Sequence, residues 1–386
     1  MTTVTIRDWF THTATVPAEA RCQVNQQLAA YSDTVQACAT RYLGKQVTVC
    51  VSGSLARGEP AVRREHNRYR LASDVDLVAI IDTTETAAQA ENFRNSVLRH
   101  HPQIETTVFA TGRRDLARVA GRFGADLYSA ATRPLAGPVP DPAVMPRLGK
   151  REGLEGITHQ LATRYDPDNS GGDNPWRVKT VLEALRAVAD HRPGPHRFSD
   201  LPSDPAVRER LDPAIVAQLV RARENSTALP ITIAEAYRCV IASACWLFGV
   251  PATHRDLIDA LHTIEQGTHL LDGFQAAVLA ATIVLDGPIT YRRSAASALH
   301  VIATAIDPSA LITAHDSLRA LTAISPIDIC RGLEHPNHVL CQHIQGLRRD
   351  YYAWLGPHNF GTHPVAEYRG PALANLAPST RSADHG

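Results

Sequence analysis

QVTVCVSGSLARGEPAVRREHNRYRLASDVDLVAII, residues 46–81, is the stretch that decides the fold of this chain. Apolar side chains alternate at Val47, Val49 and Val51, which predicts a β-strand. A Gly53-Ser54 turn ends this run. A tight turn after a strand leaves backbone N–H groups and a hydroxyl able to hold phosphate. The first half of the stretch is therefore a candidate phosphate cradle.

Two carboxylates open the second strand of the same stretch. Asp74 and Asp76 lie two residues apart, and side chains alternate along a strand, so both are expected on one face. The apolar run 77–81 that follows predicts a central strand covered on both faces. Like charges at this spacing repel each other unless a cation lies between them. Such a pair alone is most often a solvated strand end, but a phosphate cradle beside it predicts metal-assisted phosphoryl or nucleotidyl transfer.

The two halves together resemble the signature of a known superfamily. Gly53-Ser54-Leu55-Ala56-Arg57-Gly58-Glu59 and Ser73-Asp74-Val75-Asp76-Leu77 are similar to the motif of the DNA polymerase β-type nucleotidyltransferases, which include aminoglycoside and other small-molecule adenylyltransferases. The resemblance implies an α+β fold, in which an N-terminal mixed β-sheet with helices is followed by an all-helical C-terminal domain. It also implies that Gly53 and Ser54 bind the triphosphate and that Asp74 and Asp76 bind two Mg²⁺ ions.

The gap between Ser54 and Asp74 is longer than this superfamily usually has. Arg68-Tyr69-Arg70-Leu71 has the composition of an extra short strand, so the insert at residues 59–72 is predicted to be a β-hairpin. Arginines on a solvated hairpin are the commoner interpretation, and contact with RNA is the other. The arginines of the insert are Arg63, Arg64, Arg68 and Arg70.

A third carboxylate follows in the next predicted strand. Residues 104–109, IETTVF, are rich in β-branched side chains, and Glu105 is the one acid among them. The resemblance implies that Glu105 completes the metal site and acts as general base toward the acceptor hydroxyl. A surface glutamate on an edge strand is the alternative.

Two further cations are candidates for phosphate contact. Arg57 closely follows the Gly53-Ser54 turn and either touches phosphate or pairs with Glu59. Lys179 lies on a predicted helix where related enzymes often place a basic residue on the triphosphate, and Arg177 competes for that role. A solvated helix face is the commoner interpretation of these two residues, because exposed lysine and arginine are the default.

The chain is expected to form two domains and a tail. Residues 1–145 are the predicted nucleotidyltransferase catalytic domain, in which the spacing over 17–42 predicts a helix packed on the sheet. A Gly/Pro-rich stretch at 133–146 marks the boundary. Residues 146–356 are the predicted helical domain that binds substrate and closes over the nucleotide, and 357–386 a mobile tail.

Composition limits the partners and the compartment. The 39 basic and 39 acidic residues cancel, which argues against a long nucleic-acid groove and favours a nucleoside triphosphate and a small acceptor. The seven cysteines are scattered and form no CxxC pair, as expected of reduced thiols in a cytoplasmic protein. The N-terminus lacks the pattern of a signal peptide, and the longest apolar run, 240–250, is too short to span a bilayer, so no membrane partner is expected.

Two other motifs are rejected. His254-Arg255-Asp256-Leu257 imitates a kinase catalytic loop, but Leu261 occupies the position that requires asparagine. A cluster of histidines and cysteines near the C-terminus could ligate zinc, but its spacing fits no standard zinc module. Its members are Cys330, His335, His338, Cys341 and His343.

The sequence therefore predicts a Mg²⁺-dependent nucleotidyltransferase that moves a nucleotide, AMP from ATP or the equivalent from another NTP, onto a hydroxyl of a small acceptor with release of pyrophosphate. One alternative keeps the fold and changes the acceptor to a nucleotide or an RNA end, giving cyclic or oligonucleotide products. A non-catalytic nucleotide-binding module is the third hypothesis, and it is disfavoured because three candidate acids and the Gly53-Ser54 turn are all present.

Overall fold

The structure is a computed structural model, and the chain folds into two compact units. One unit comprises Met1–Pro146 with Leu355–Gly386, and the other comprises Arg147–Trp354. The described residues are 7–81, 84–112, 124–127, 134–139, 148–164, 176–189, 197–262, 273–305, 342–343, 346 and 363–364. Across them the chain is a mixed α+β protein with a small mixed sheet.

The first unit contains the sheet. Its described elements, in chain order, are α1 (Ala18–Tyr42), β1 (Thr48–Val51), α2 (Gly53–Arg57), β2 (Val62–Glu65), β3 (Arg68–Leu71), β4 (Val75–Ile81), α3 (Thr84–His100), β5 (Thr106–Gly112) and β6 (His363–Pro364). The order of the main sheet is β1-β4-β5-β6. β4 pairs antiparallel with β1 and parallel with β5. The strand that bears the predicted carboxylates is therefore central.

The two faces of β4 are both covered. Val75, Leu77, Ala79 and Ile81 join one core with the buried stripes of α1 and α3. Val78 and Ile80 point the other way and pack with Cys50 of β1 and with Leu127. The apolar run after Asp76 is thus buried on both sides, as the sequence predicts.

The helix predicted over 17–42 is α1, and its apolar spacing explains its place. Residues that recur every three or four positions share one face of a helix. That face is buried against the sheet. Its fully buried members include Ala20, Val24, Leu28, Tyr31 and Val35.

The inserted hairpin is confirmed. β2 and β3 pair antiparallel as a separate two-stranded sheet, with Val62 opposite Leu71 and Glu65 opposite Arg68. His66 and Asn67 connect them with φ of 47° and 64°, the left-handed conformation that tight hairpin turns require.

The predicted strand at 104–109 starts later than expected. His101 O accepts a hydrogen bond from Ile104 N at 3.0 Å, so residues 101–104 form a turn after α3. β5 begins at Thr106 and continues to Gly112. Glu105 therefore precedes the strand and does not lie on it, because this turn, with Pro102 at its second position, delays the extended backbone.

The predicted tail contains one described pair in the sheet. His363 and Pro364 form β6 and pair with Ala110 and Phe109 of β5. The other residues of 357–386 lie outside the described residues.

All described elements of the second unit are helices. They are α4 (Lys150–Arg164), α5 (Trp176–Ala189), a 3₁₀ helix (Phe198–Ser203), α6 (Pro205–Arg208), α7 (Pro213–Glu224), α8 (Ile233–Phe248), α9 (His254–His262), α10 (Gly273–Asp286) and α11 (Ile289–Ala305). None of the helices among the described residues combines the length and the apolar character needed to cross a membrane.

Candidate active site

The carboxylate pair lies at the start of β4 on one side of the sheet. Burial alternates there, with Ser73 and Val75 buried and Asp74 and Asp76 half-buried. This alternation places both carboxylates on the face that continues as Val78 and Ile80. We call this side of β4 the carboxylate face. Its first half is polar and partly open, and its second half is buried.

The predicted Gly53-Ser54 turn is the first turn of α2, and Gly53 lies directly against Asp76. Ser52 N donates a hydrogen bond to Asp76 O at 2.8 Å, which fixes the end of β1 beside the start of β4. Gly53 has φ of 64°, and a Cβ added to it would come within 2.9 Å of Asp76 Oδ2. Only glycine meets both the backbone requirement and this close approach. The structure thus brings together two predicted site residues that are far apart in sequence.

Ser54 has a hydroxyl without a partner. The residue is 8% exposed, and its Oγ is buried with no hydrogen bond. Burying an unsatisfied hydroxyl costs about 1–3 kcal/mol. Native proteins seldom keep such a group unless a ligand or a water satisfies it. The orphan Oγ lies one residue after Gly53, so it belongs to the same turn that contacts Asp76.

The backbone of Glu105 lies beside the carboxylate pair. Val75 N donates to Glu105 O at 2.8 Å, and the parallel ladder then pairs Asp76 with Thr107. The register therefore puts Glu105 next to Asp74. The side chain of Glu105 is exposed.

The three acids are not gathered into a metal-binding group. Within the described part of the chain, no three or more His, Cys, Asp or Glu side chains are arranged to hold a metal ion. Carboxylates of like charge repel one another and converge only around a cation. The set of Asp74, Asp76 and Glu105 as ligands of two Mg²⁺ ions remains a prediction. These residues suit Mg²⁺ chemically, because Mg²⁺ prefers hard oxygen donors and all three carboxylates lie at the same end of β4 and β5.

Arg57 is engaged in a buried ion-pair cluster. Its Nε pairs with Glu59 Oε2 at 3.1 Å, and its Nη1 pairs with Asp126 Oδ2. All three side chains are buried. Of the two roles predicted for Arg57, the pairing with Glu59 is therefore confirmed. The phosphate-binding role remains a prediction without a supporting contact.

Asp126 is the part of this cluster that the sequence did not reveal. It lies 69 residues from Arg57, in a helical turn at 124–127. Breaking a buried ion pair leaves an uncompensated charge, which is strongly destabilising. The cluster therefore holds the end of α2, and with it the Gly53-Ser54 turn, in a fixed place.

Tyr31 supports the same end of the sheet from the opposite face. Its hydroxyl lies 3.0 Å from Thr106 Oγ1, and Thr106 Oγ1 in turn donates to Ile104 O at 3.1 Å. Burial raises the pKa of Tyr31, and the negative charge of Asp76 raises it further. The hydrogen bond to Thr106 fixes the first residue of β5 against α1.

The remaining predicted residues lie in the second unit. Lys179 is half-buried on α5, and its phosphate role stays a prediction. Arg177 lies on the same helix, and its side chain is outside the described residues. Of the rejected zinc cluster, only His343 lies within the described residues.

Comparisons with family models, with curated proteins and with solved structures return no match to this chain. The assignment of a function therefore rests on the residues and the geometry given above.

Proposed function

We propose that this chain is a Mg²⁺-dependent nucleotidyltransferase that transfers a nucleotide from ATP, or from another NTP, to a hydroxyl of an acceptor. The observation that carries the proposal is the turn at Gly53-Ser54, which holds an orphan buried hydroxyl and lies against the Asp76 carboxylate. A phosphate oxygen on Ser54 Oγ would satisfy that hydroxyl. The resemblance to the DNA polymerase β-type nucleotidyltransferases adds support, since their motif spans the same two segments.

The strand arrangement is compatible with this chemistry. β4 runs antiparallel to β1 and parallel to β5. The C-terminal end of β1 and the N-terminal ends of β4 and β5 therefore lie at the same end of the sheet. The Gly53-Ser54 turn follows the end of β1, the carboxylate pair lies at the start of β4, and Glu105 directly precedes β5. Mg²⁺ held by Asp74 and Asp76 would neutralise phosphate charge and lower the pKa of the acceptor hydroxyl.

The residues of the chain then perform binding, orientation and proton transfer. Ser54 Oγ and the backbone at Gly53 hold the β- and γ-phosphates. Glu105 accepts the proton of the acceptor hydroxyl. The hydroxyl oxygen bonds to the α-phosphorus, the bond between that phosphorus and the bridging oxygen breaks, and pyrophosphate leaves with the bonding electrons. The protein contributes mainly position and charge.

The cysteines support a reducing compartment. The five described ones are free thiols, namely Cys22, Cys38, Cys50, Cys239 and Cys245. Free thiols are typical of cytoplasmic proteins, so a cytoplasmic location is part of the proposal.

The test is a transfer assay on purified protein. The protein is incubated with the four NTPs and Mg²⁺, with and without a panel of hydroxylated acceptors, and products are identified by mass spectrometry. Asp76→Asn is the blank. Asp33→Asn is the matched control, because Asp33 is an exposed aspartate on α1.

Pyrophosphate together with an acceptor that gains one nucleotide mass establishes the proposal. Cyclic or linear oligonucleotides from NTP alone keep the chemistry and change the acceptor. Binding of NTP without any turnover, over a panel that covers neutral, cationic and anionic acceptors, contradicts transfer and favours a nucleotide-binding module.

A further inference from the structure

The hairpin inserted between the two halves of the site presents an arginine-rich outer face. The register places Arg63 opposite Arg70 and Glu65 opposite Arg68, which puts these four side chains on one face. The other face carries Val62 and Leu71, which are buried in the core of the first unit, Tyr69, which packs against it, and Arg64, which is exposed near the hairpin turn. The face with Arg63, Glu65, Arg68 and Arg70 therefore points away from the core, and we call it the arginine face.

The arginine face is locally cationic in a chain whose net charge is zero. Three guanidinium groups share a single carboxylate, since Glu65 is the one acid between Val62 and Leu71. Glu65 Oε1 pairs with Arg63 Nε at 2.6 Å, and Glu65 Oε2 pairs with Arg70 Nε at 3.0 Å. Arg63 and Arg70 remain 52% and 45% exposed. Glu65 thus holds the two arginines side by side without neutralising the face.

The base of the hairpin is fixed next to the carboxylate pair. Ala72 N donates to Ala61 O at 2.8 Å, and Ala61 N donates to Ser73 Oγ at 2.8 Å. Ser73 directly precedes Asp74. Asp74 lies four positions after Arg70, so their Cα atoms are within about 14 Å of each other. The arginine face therefore begins close to the proposed transfer site.

Hydrogen bonds to α1 hold the hairpin in place on the first unit. Gln23 Oε1 accepts from Tyr69 N at 2.8 Å, and Gln27 Nε2 donates to Tyr69 O at 2.8 Å. Two glutamines one helical turn apart thus bind both backbone groups of one residue on the open edge of β3. Pre-organised arginines lose less conformational entropy when they bind an anion.

We propose that the arginine face binds a phosphate group of the acceptor, so that the hydroxyl that receives the nucleotide belongs to a phosphate-bearing molecule. Guanidinium groups bind phosphate through paired, charge-assisted hydrogen bonds. The same face repels a polycationic acceptor such as an aminoglycoside, because like charges near the site raise the cost of binding. The proposal rests on the proposed function and names the acceptor class for it.

The phosphate can belong to a small phosphorylated sugar or to the strand of a nucleic acid, and the experiment has one arm for each. The probes are ribose phosphate and a short single-stranded oligoribonucleotide, with ribose and kanamycin as neutral and cationic comparisons. Binding of each probe is measured without NTP, over a range of salt concentrations. Transfer is measured separately as pyrophosphate release with NTP and Mg²⁺.

The test variant is Arg63→Gln with Arg70→Gln, and the matched control is Arg41→Gln with Arg99→Gln. All four arginines are exposed, and the control pair lies on α1 and α3. Exposed substitutions of this kind change stability by less than about 0.5 kcal/mol. We expect the test variant to bind its phosphate probe on the order of tenfold more weakly, with a smaller salt dependence, and the control to match the wild type.

Binding of either phosphate probe that falls in the test variant and persists in Asp76→Asn supports the inference, and the probe that binds identifies the source of the phosphate. Equal binding by the test and control variants overturns it. Transfer to kanamycin or ribose with none to the phosphate probes also overturns it. Because binding is measured without NTP, a lack of pyrophosphate in every transfer assay contradicts the proposed function alone.

Discussion

The two ends of the carboxylate face differ in polarity and in exposure to solvent. At the start of β4 the face carries Asp74 and Asp76, both half-buried, beside a glycine turn with an orphan hydroxyl. Two residues further on it carries Val78 and Ile80, which are fully buried. The backbone and the pairing are continuous across this change. The comparison teaches that one strand can hold a polar, partly exposed end in place because its other half is buried in the core.

The largest expected effect follows from changing the polar end of the carboxylate face. Asp76→Asn keeps the shape and removes the charge, so transfer should fall by on the order of a hundredfold or more. The free energy of unfolding should not fall, because a repulsion with Asp74 is relieved. Pyrophosphate release and urea unfolding on the same preparation check both, beside Asp33→Asn. Retained turnover would remove Asp76 from the site.

A change at the anchored end should have the opposite pattern. Ile80→Ala removes a buried side chain and should cost about 2–5 kcal/mol of unfolding free energy, while Ile80→Val should cost about 0.5–1.5 kcal/mol. The kcat of the folded fraction should stay near the wild-type value, since Ile80 does not reach the polar end. Urea unfolding and turnover at low temperature measure this. A loss of kcat as large as that of Asp76→Asn would show that the two ends are not separable.

The glycine turn can be tested with a matched pair of glycines. Gly53→Ala places a Cβ against Asp76 Oδ2 at a φ of 64°, so it should cost about 1–2 kcal/mol and weaken NTP binding. Gly44 also has a positive φ, of 90°, but no atom lies within 4 Å of its added Cβ. Gly44→Ala should therefore lower stability and leave NTP binding unchanged. Equal NTP affinity in both variants would argue against a phosphate cradle at Gly53.

Cys50 packs against the buried end of the carboxylate face, and its ionisation should lower the stability of the chain at alkaline pH. Burial raises the pKa of the Cys50 thiol to about 12 from an ordinary value near 9. The folded state then holds the proton more tightly, so this contribution is complete below about pH 9 and is lost as the pH rises toward 12.

Between about pH 7 and pH 10, Cys50→Ala should therefore lose less unfolding free energy than the wild type, by on the order of 1 kcal/mol. Cys22→Ala, at an exposed cysteine on α1, is the control. Urea midpoints at the two pH values measure the difference. An unchanged pH dependence in Cys50→Ala would mean that Cys50 ionises as readily in the folded chain as in the unfolded one.

The local part of this architecture could be predicted from the sequence. Alternating apolar residues and a β-branched run identified β1, β4 and the hairpin, because strands follow from side-chain patterns over a few residues. The resemblance assigns Gly53 and Asp76 to one predicted site, but their direct contact comes from the structure. The start of β5 was predicted two residues too early, because the turn at 101–104 is fixed by the end of α3.

The long-range partners could not be predicted. Asp126 lies 69 residues from Arg57, and Tyr31 lies 75 residues from Thr106. No local pattern links such residues, because an ion pair or a hydroxyl contact depends on how distant segments pack. The orphan state of Ser54 Oγ is likewise a property of the packed chain, although the residue itself was a predicted phosphate ligand.

The central claim is that the polar end of the carboxylate face binds the phosphates of an NTP, and Ser54→Ala tests it most directly. The measurement is calorimetric titration of ATP with Mg²⁺ into the wild type and the variant, together with urea unfolding of both. We predict weaker ATP binding by on the order of tenfold, with a free energy of unfolding that is unchanged or about 1 kcal/mol higher, because an unsatisfied buried hydroxyl is removed. Unchanged ATP affinity in a destabilised variant would contradict the account, since Ser54 would then serve the fold and not the ligand.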